Sequence, residues 1–335
     1  MEAERMKSYT IGVDGGGTKT DCALFDLDGQ LIDSLKWGAT SHEFLDGSYE
    51  ACEREIGRML DTLFQKNGIA PDQIRAGVFG MAGVDTAWQQ KKVSEIVQKN
   101  GLSDCIVCND GYLGIKAGTS RGIGVNVING TGCSFEGINA AGEMLQIGGQ
   151  SVILDDVAGG YVTGRSIISL AHRELFLGGG KTVLTKLLMD EIGAHGRDEL
   201  MDELVRRVGE KTIEIKHLAH LMYEAAAMGD TVAVRFLKET GEKMAEYCLA
   251  VIENLRLHEE DMIEIVLIGS GFLKAAADTH IAAMQDMIAI QYPNVRFIPL
   301  RVRPVCGAVF WAFELCGILD GQMKQKLMDQ LEVRG

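Results

Sequence analysis

The stretch that decides the fold runs from Tyr9-Thr-Ile-Gly-Val13 into Asp14-Gly-Gly-Gly-Thr-Lys-Thr20. Its apolar start predicts a short strand, and its glycines predict a turn whose backbone N–H groups can closely approach an anion. A second strand is predicted over Asp21–Leu27, a hairpin at Asp28-Gly29, and a third strand over Gln30–Lys36. The chain therefore opens as an antiparallel meander, with an anion-binding turn between its first two strands.

The same pattern returns later in the chain. A strand predicted over Gly122–Ile128 leads into a second glycine-rich turn, Asn129-Gly-Thr-Gly132. The Gly-Thr pair of this turn lies 113 residues after Gly17-Thr18, and the hairpin glycines Gly29 and Gly142 have the same spacing. Two landmarks at one offset indicate an internal duplication. Turns at equivalent points of such a fold would face each other across a cleft and bind a polyphosphate from both sides.

Composition sets the class of protein. The chain has 335 residues, of which 46% are hydrophobic and 24% charged, as in a soluble globular protein of about two domains. We predict an N-terminal lobe over residues 1–118 and a larger, more helical lobe over 119–335, whose final helix is free to pack on the first. The net charge of −14 argues against nucleic acid as a partner. Eight scattered cysteines, no signal peptide and no apolar span predict a cytoplasmic protein without a membrane segment.

Other motifs for phosphates or metals fail on inspection. A P-loop ending at Gly180-Lys181-Thr182 would need its first glycine where Leu175 stands, and no run satisfies the dinucleotide-binding glycine pattern. His217 and His220 lack a third ligand, so they are interpreted as one face of a helix. The pair Cys105 and Cys108 lacks the second pair that a zinc site requires.

Acidic residues stand where predicted strands and turns end. Asp14 closes the first strand, Asp110 follows the strand predicted over Asp104–Cys108, and Asp155-Asp156 lies among glycines. Each could simply be a turn or cap residue. Together they fit a magnesium carboxylate, a catalytic base and a substrate ligand, which are the parts that phosphoryl transfer needs.

Several motifs occur in an order that resembles the BadF/BadG/BcrA/BcrD-type ATPase family and, within it, the N-acetylglucosamine kinase branch. The resemblance covers about residues 9 to 316. The motifs are Gly12-Val-Asp-Gly-Gly-Gly-Thr-Lys-Thr-Asp21, Met81-Ala-Gly-Val84, Asn109-Asp110, Asn129-Gly-Thr-Gly-Cys-Ser134, Ile268-Gly-Ser-Gly271 and Arg303-Pro-Val-Cys-Gly-Ala308.

The resemblance implies an α/β fold of two ribonuclease H-like lobes, of the actin/hexokinase/Hsp70-like type, with ATP and Mg²⁺ as cofactors. Asp14 would hold the metal, and Asp110 would accept the proton of the attacking sugar hydroxyl. The residues implied to bind the nucleotide are Gly15, Gly16, Gly17, Thr18 and Lys19, the facing Gly130, Thr131 and Gly132, and, beside the adenosine, Gly269, Ser270 and Gly271. A homodimer is also an expectation from the resemblance.

The sugar pocket matches the family less well than the phosphate motifs do. Where such kinases often carry an asparagine, this chain has Ser41 or His42, and only Asp156 matches the later Gly-Asp-Glu-Gly-Ser pattern. We therefore expect Ser41, His42, Asp110 and Asp156 to contact the substrate and determine its specificity. Carboxylates accept hydrogen bonds from hydroxyls, so a neutral polyol fits better than an anion. The predicted reaction is phosphorylation of N-acetylglucosamine or glucosamine.

Two other functions stay open at this point. An ATPase that activates a 2-hydroxyacyl-CoA dehydratase would need cysteines for a shared iron–sulfur cluster, and only Cys133 and, more weakly, Cys306 lie near suitable segments. A ligand sensor without catalysis would not need to retain Asp14 and Asp110.

Overall fold

The computed structural model describes residues 8–150, 153–154 and 156–333, which divide into two compact units. The first unit holds the described residues up to Gly124 and those from Leu300 onward. The second unit is Val125–Pro299. The last part of the sequence thus folds with the first part.

Both units contain strands and helices. The strands are β1 (Tyr9–Gly15), β2 (Thr20–Asp26), β3 (Leu31–Trp37), β4 (Ile74–Met81), β5 (Cys105–Cys108), β6 (Gly124–Asn129), β7 (Cys133–Ile138), β8 (Met144–Gly148), β9 (Ile263–Ile268) and β10 (Val295–Pro299). The helices are α1 (Ser48–Asn67), α2 (Ala87–Lys99), α3 (Gly111–Gly118), α4 (Gly160–Leu177), α5 (Val183–Ile192), α6 (Arg197–Gly209), α7 (His220–Ala227), α8 (Thr231–Asn254), α9 (Ser270–Leu273), α10 (Thr279–Gln291), α11 (Val305–Leu315) and α12 (Gly321–Val333).

Each unit is built on a five-stranded sheet with one strand order. The order is β3-β2-β1-β4-β5 in the first unit and β8-β7-β6-β9-β10 in the second. In the first sheet β1 is antiparallel to β2 and parallel to β4. The hairpin glycines that suggested a repeat, Gly29 and Gly142, have φ angles of 77° and 78°, which favour glycine. The two sheets therefore agree with an internal duplication.

Small residues let α11 pack closely in the core of the first unit. A Cβ atom on Gly12 of β1 would lie 2.7 Å from the backbone nitrogen of Val309. A Cβ on Gly307 would overlap the carbonyl of Leu113 in α3. Because neither glycine has a Cβ, α11 packs directly on β1, which carries Asp14, and on α3, which follows Asp110.

Two predicted helices differ from the structure. The helical periodicity of Phe272–Ile290 predicts one continuous helix, which is wrong, because α9 ends at Leu273 and α10 begins at Thr279. The periodicity of Ile213–Met228 also predicts a helix, but this segment begins with a 3₁₀ turn at Ile215–Ala219. In both cases the interrupted segment contributes to the wall of a cavity, described below.

The described part of the chain contains no helix that is both long enough and apolar enough to cross a bilayer.

Candidate active site

The first Gly-Thr turn, residues 14–20, is held by backbone hydrogen bonds at the end of β1. The Gly16 N–H donates to the carbonyl of Lys19 at 3.0 Å, which closes the turn. The Gly15 carbonyl accepts from the N–H of Ala82 at 2.8 Å, and the Gly16 carbonyl accepts from that of Ser41 at 3.3 Å. Thr18 and Lys19 are exposed at its tip. The turn is therefore anchored on one side and open on the other.

Asp14 and Asp110 lie at the same edge of the first sheet. β1, β4 and β5 are parallel, so their carboxyl ends meet there. Asp110 follows β5 and precedes the first residue of α3. Beside it, the Asn109 side chain accepts from the Gly111 N–H at 2.8 Å and donates to Asp85 Oδ1 at 2.7 Å. This pair of bonds fixes the backbone around Asp110.

Burial and neighbouring carboxylates make this edge favour protons or cations. Burial, followed by the negative charges of Asp110 and Asp21, raises the pKa of Asp14 to about 7. Burial also raises the pKa of Asp110 to about 6, and the charge of Asp85 adds to the effect while backbone hydrogen bonds oppose it. A group with such a pKa is suited to exchange a proton near neutral pH.

Ser41 and His42 are both buried beside the first Gly-Thr turn. The Ser41 hydroxyl donates to the carbonyl of Ala82 at 2.8 Å, so it ties the segment after β3 to the end of β4. The His42 ring stacks on Tyr49 with ring centroids 4.3 Å apart. Burial lowers the pKa of His42, although Asp85 raises it in part. The structure thus brings Ser41 and His42 to the neighbourhood of Asp85, a residue that sequence analysis missed.

The second Gly-Thr turn, residues 129–134, is anchored to the start of α4. The Gly160 N–H donates to the Gly130 carbonyl at 2.8 Å, and the Tyr161 N–H donates to that of Thr131 at 3.2 Å. Asp156 Oδ2 accepts from the Cys133 N–H at 3.3 Å. Asp156 therefore lies at this turn, within the second unit, whereas Asp155 lies outside the described residues.

A cavity of about 610 Å³ opens beside the second Gly-Thr turn, a volume typical of small-molecule sites. Its walls include four of the residues implied to bind the nucleotide, Gly130, Thr131, Ser270 and Gly271. A Cβ on Gly269, whose φ is 108°, would overlap the backbone of Asn129. The Gly269–Gly271 segment consequently packs directly against the second Gly-Thr turn.

Several residues that line this cavity were not predicted from the sequence to be part of a site. They are Asn129, Gly160, Lys216, His217, His220, Tyr223, Glu224 and Lys274. His217 and His220 line the cavity wall, so interpreting them as an ordinary helix face was incomplete. The Lys216 ammonium is 2.5 Å from Glu214, and this hydrogen bond raises its pKa. Periodicity alone gave no signal for a wall formed where a 3₁₀ turn meets α7.

The profile of the BadF/BadG/BcrA/BcrD ATPase family matches residues 11–312. The N-acetylmuramic acid/N-acetylglucosamine kinase of Clostridium acetobutylicum is 26% identical over 92% of this chain and 99% of its own length. The N-acetyl-D-glucosamine kinase of Dictyostelium discoideum is 24% identical over 91% of this chain and 98% of its own. A crystal structure from Chromobacterium violaceum, described as a candidate N-acetylglucosamine kinase, superposes with a TM-score of 0.62 at 21% identity. The superposition covers 92% of this chain and 98% of that structure.

The chain therefore belongs to the BadF/BadG/BcrA/BcrD ATPase family, as its motifs predicted. The structural likeness and the two matching sheets confirm the predicted α/β fold of two ribonuclease H-like units. Membership of an ATPase family identifies ATP as the nucleotide on which the chain acts.

Proposed function

We propose that the chain is an ATP-dependent kinase that phosphorylates a hydroxyl of an amino sugar, N-acetylglucosamine or glucosamine. The observation that carries the proposal is the partly buried Asp110 carboxyl, placed at the same sheet edge as Asp14 and the first Gly-Thr turn. Its pKa of about 6 leaves it ionised at neutral pH, yet basic enough to accept a hydroxyl proton. The names of the relatives point to the same reaction.

In this proposal each Gly-Thr turn binds phosphate. The backbone N–H groups of the first Gly-Thr turn and the Lys19 ammonium would bind the β- and γ-phosphates. The second Gly-Thr turn would supply further N–H donors through Gly130, Thr131 and Gly132. The adenosine would enter the second-unit cavity beside Ser270 and Gly271.

The residues present fit Mg²⁺ as a second cofactor. The described residues contain no group of three or more His, Cys, Asp or Glu side chains that could hold a metal by themselves. Mg²⁺ commonly uses one or two carboxylates together with water and substrate phosphates, so Asp14 alone is a sufficient protein ligand. The raised pKa of Asp14 shows that its anionic form is poorly stabilised by the protein alone. A bound Mg²⁺ would neutralise charge on the phosphates, and Asp14 would orient it.

The substrate is proposed to be neutral or cationic. Asp85 and Asp110 form an acidic edge in the first unit, and carboxylates accept hydrogen bonds from sugar hydroxyls. An acidic sugar would meet repulsion from the same groups. Ser41, His42 and Asp156 remain proposed substrate contacts, and magnesium and a cytoplasmic location remain expectations.

The alternative of a dehydratase activator has weaker support. An iron–sulfur cluster binds thiolates. Cys133 is buried, and burial together with Asp156 and Glu136 raises its pKa well above the usual value. Its thiol is thus poorly suited to ionise.

The proposal is tested by ADP release measured over a panel of hexoses, amino sugars and N-acetylated sugars. We expect N-acetylglucosamine or glucosamine to raise ATP turnover far above the rate with water. Asp110→Asn should lower kcat by about 10²–10⁴, the range for loss of a general base, while ADP affinity is kept. Asp104→Asn is the matched control, because Asp104 is exposed at the opposite end of β5. ATP turnover that no sugar stimulates would refute the proposed kinase function. An Asp110→Asn variant with normal kcat would refute the proposed role of Asp110 as general base.

A further inference from the structure

His280 is a buried, neutral histidine in the first turn of α10. Its side chain has no solvent exposure, and its ring stacks on Phe272 with centroids 5.7 Å apart. Nε2 lies 2.8 Å from the carbonyl oxygen of Gly271, which can only accept, so Nε2 carries the proton. Nδ1 has no hydrogen-bond partner among the described residues, which is consistent with an unprotonated nitrogen. Burial lowers the pKa of His280 to about 4, so the ring stays neutral at physiological pH.

The bond between His280 and Gly271 closes a loop that forms one wall of the second-unit cavity. Lys274, Ala275 and Ala276 lie within this loop and line the cavity. The bond spans the break between α9 and α10, since Gly271 lies in α9 and His280 in α10.

Gly271 is in turn fixed against Asn129. A Cβ on Gly271 would overlap the Asn129 side-chain amide. Asn129 Oδ1 accepts from the Gly159 N–H at 3.1 Å, and the Asn129 side chain also hydrogen-bonds to Tyr223. His280 packs against Tyr223 with ring centroids 5.3 Å apart. The buried ring therefore contacts Gly271 and Tyr223, two residues that in turn contact Asn129 at the end of β6.

We propose that His280 is a positioning residue for nucleotide binding: its Nε2–H bond to Gly271 fixes the wall of the second-unit cavity. The inference rests on the proposed function, in which this cavity holds the adenosine. It assigns to a side chain outside the cavity a part in nucleotide affinity and none in proton transfer, because the proposed base Asp110 belongs to the other unit.

The test is calorimetric titration of the full chain with ADP, which needs neither sugar nor turnover. His280→Leu removes the donor, and we expect ADP to bind about tenfold more weakly, equivalent to about 1.4 kcal/mol. His280→Gln keeps an N–H donor and should recover most of the affinity. In the kinase assay the leucine variant should raise KM for ATP while kcat and KM for the sugar change by less than about threefold.

Two controls separate positioning from general destabilisation. Ile288→Val alters a fully buried residue of the same helix, so it should lower Tm while the ADP affinity stays normal. His172→Leu makes the same chemical change at a histidine on α4 that stacks on Phe176. If His280→Leu does not fold, His280→Phe keeps an aromatic ring against Phe272 and removes only the donor.

The outcomes distinguish the inference from the function on which it depends. If the unmodified chain does not bind ADP, the nucleotide cavity itself is wrongly assigned. If the unmodified chain binds ADP and the leucine variant binds it equally well, the positioning role is wrong while the kinase stands. Equal weakening by the glutamine and leucine variants would also overturn it, since packing and not the hydrogen bond would then be responsible.

Discussion

At the scale of single residues, the site holds two carboxylates in surroundings that disfavour their ionised form. Asp14 and Asp110 each have a raised pKa, chiefly through burial and then through neighbouring negative charge. Lys19 and Arg303 oppose the effect at Asp14 without cancelling it. Function and stability therefore conflict here, as is common where charge is prepared for catalysis.

This conflict predicts that Asp14→Asn stabilises the protein at alkaline pH when magnesium and nucleotide are absent. The pKa of Asp14 is about 7 in the folded protein, against an ordinary value of 3.8 for an aspartate, so folding favours the protonated form. That contribution is fully present below pH 3.8 and is lost as the pH rises through about 7. The asparagine variant should thus gain about 1–3 kcal/mol over the unmodified chain at pH 8, and less at pH 5.

Urea unfolding at the two pH values measures this difference. Asp61→Asn, on the exposed face of α1, is the matched control and should change stability by less than about 0.5 kcal/mol. A variant that is equally stable at both pH values relative to the unmodified chain would mean that Asp14 is not electrostatically strained.

At the scale of elements, a side chain at Gly132 would disturb the contact between the second Gly-Thr turn and Asp156. A Cβ at this position would lie 2.8 Å from Asp156 Oδ2, closer than Cβ atoms in real structures approach, so the carboxylate would have to move. Gly132→Val should therefore displace the turn or Asp156 and weaken ADP binding by at least tenfold in calorimetry. Gly180→Val is the control, because a Cβ there meets nothing within 4 Å. Unchanged ADP affinity in Gly132→Val would remove this turn from the phosphate site.

Much of the architecture could be predicted because its signals are local. The strands predicted over Asp21–Leu27, Gln30–Lys36 and Asp104–Cys108 agree with β2, β3 and β5 to within one residue at each end, since turn residues mark the ends of each short strand. The break before α10 could not be predicted, because the pairing of His280 with Gly271 across it has no signal in the periodicity. The helix α12 lies beyond the last predicted helix, which corresponds to α11, although Leu327 and Leu331 have helical spacing.

The candidate site divides in the same way. Asp14, Asp110 and both glycine-rich turns were predicted because turn chemistry and strand ends can be read from neighbouring residues. Asp85 and Asn129 could not be singled out, since each acquires its role only through contacts with distant segments: Asp85 with Asn109, and Asn129 with Gly159. Residues whose role depends on such distant contacts can be identified only from the tertiary structure.

At the scale of the whole molecule, the first unit is assembled from both ends of the chain. α11 and α12 belong to it, and they share one hydrophobic cluster with strands β2 and β3. In that cluster Leu327 and Leu331 of α12 are buried together with Phe25 and Phe313. The unit that carries Asp14 and Asp110 therefore depends for its core on residues near the end of the sequence.

We accordingly predict that Leu327→Ala destabilises the first unit although it lies far from Asp14 in sequence. Leu327 has no solvent exposure, and truncating a buried leucine to alanine typically costs about 2–5 kcal/mol of unfolding free energy. Trp37, Trp88 and Trp311 all lie in this unit, so tryptophan fluorescence during urea unfolding reports on it directly. Leu315→Ala is the matched control, because that side chain at the end of α11 is 47% exposed and should cost well under about 1 kcal/mol. If both variants unfold at the same urea concentration, burial of Leu327 does not stabilise the core of the first unit.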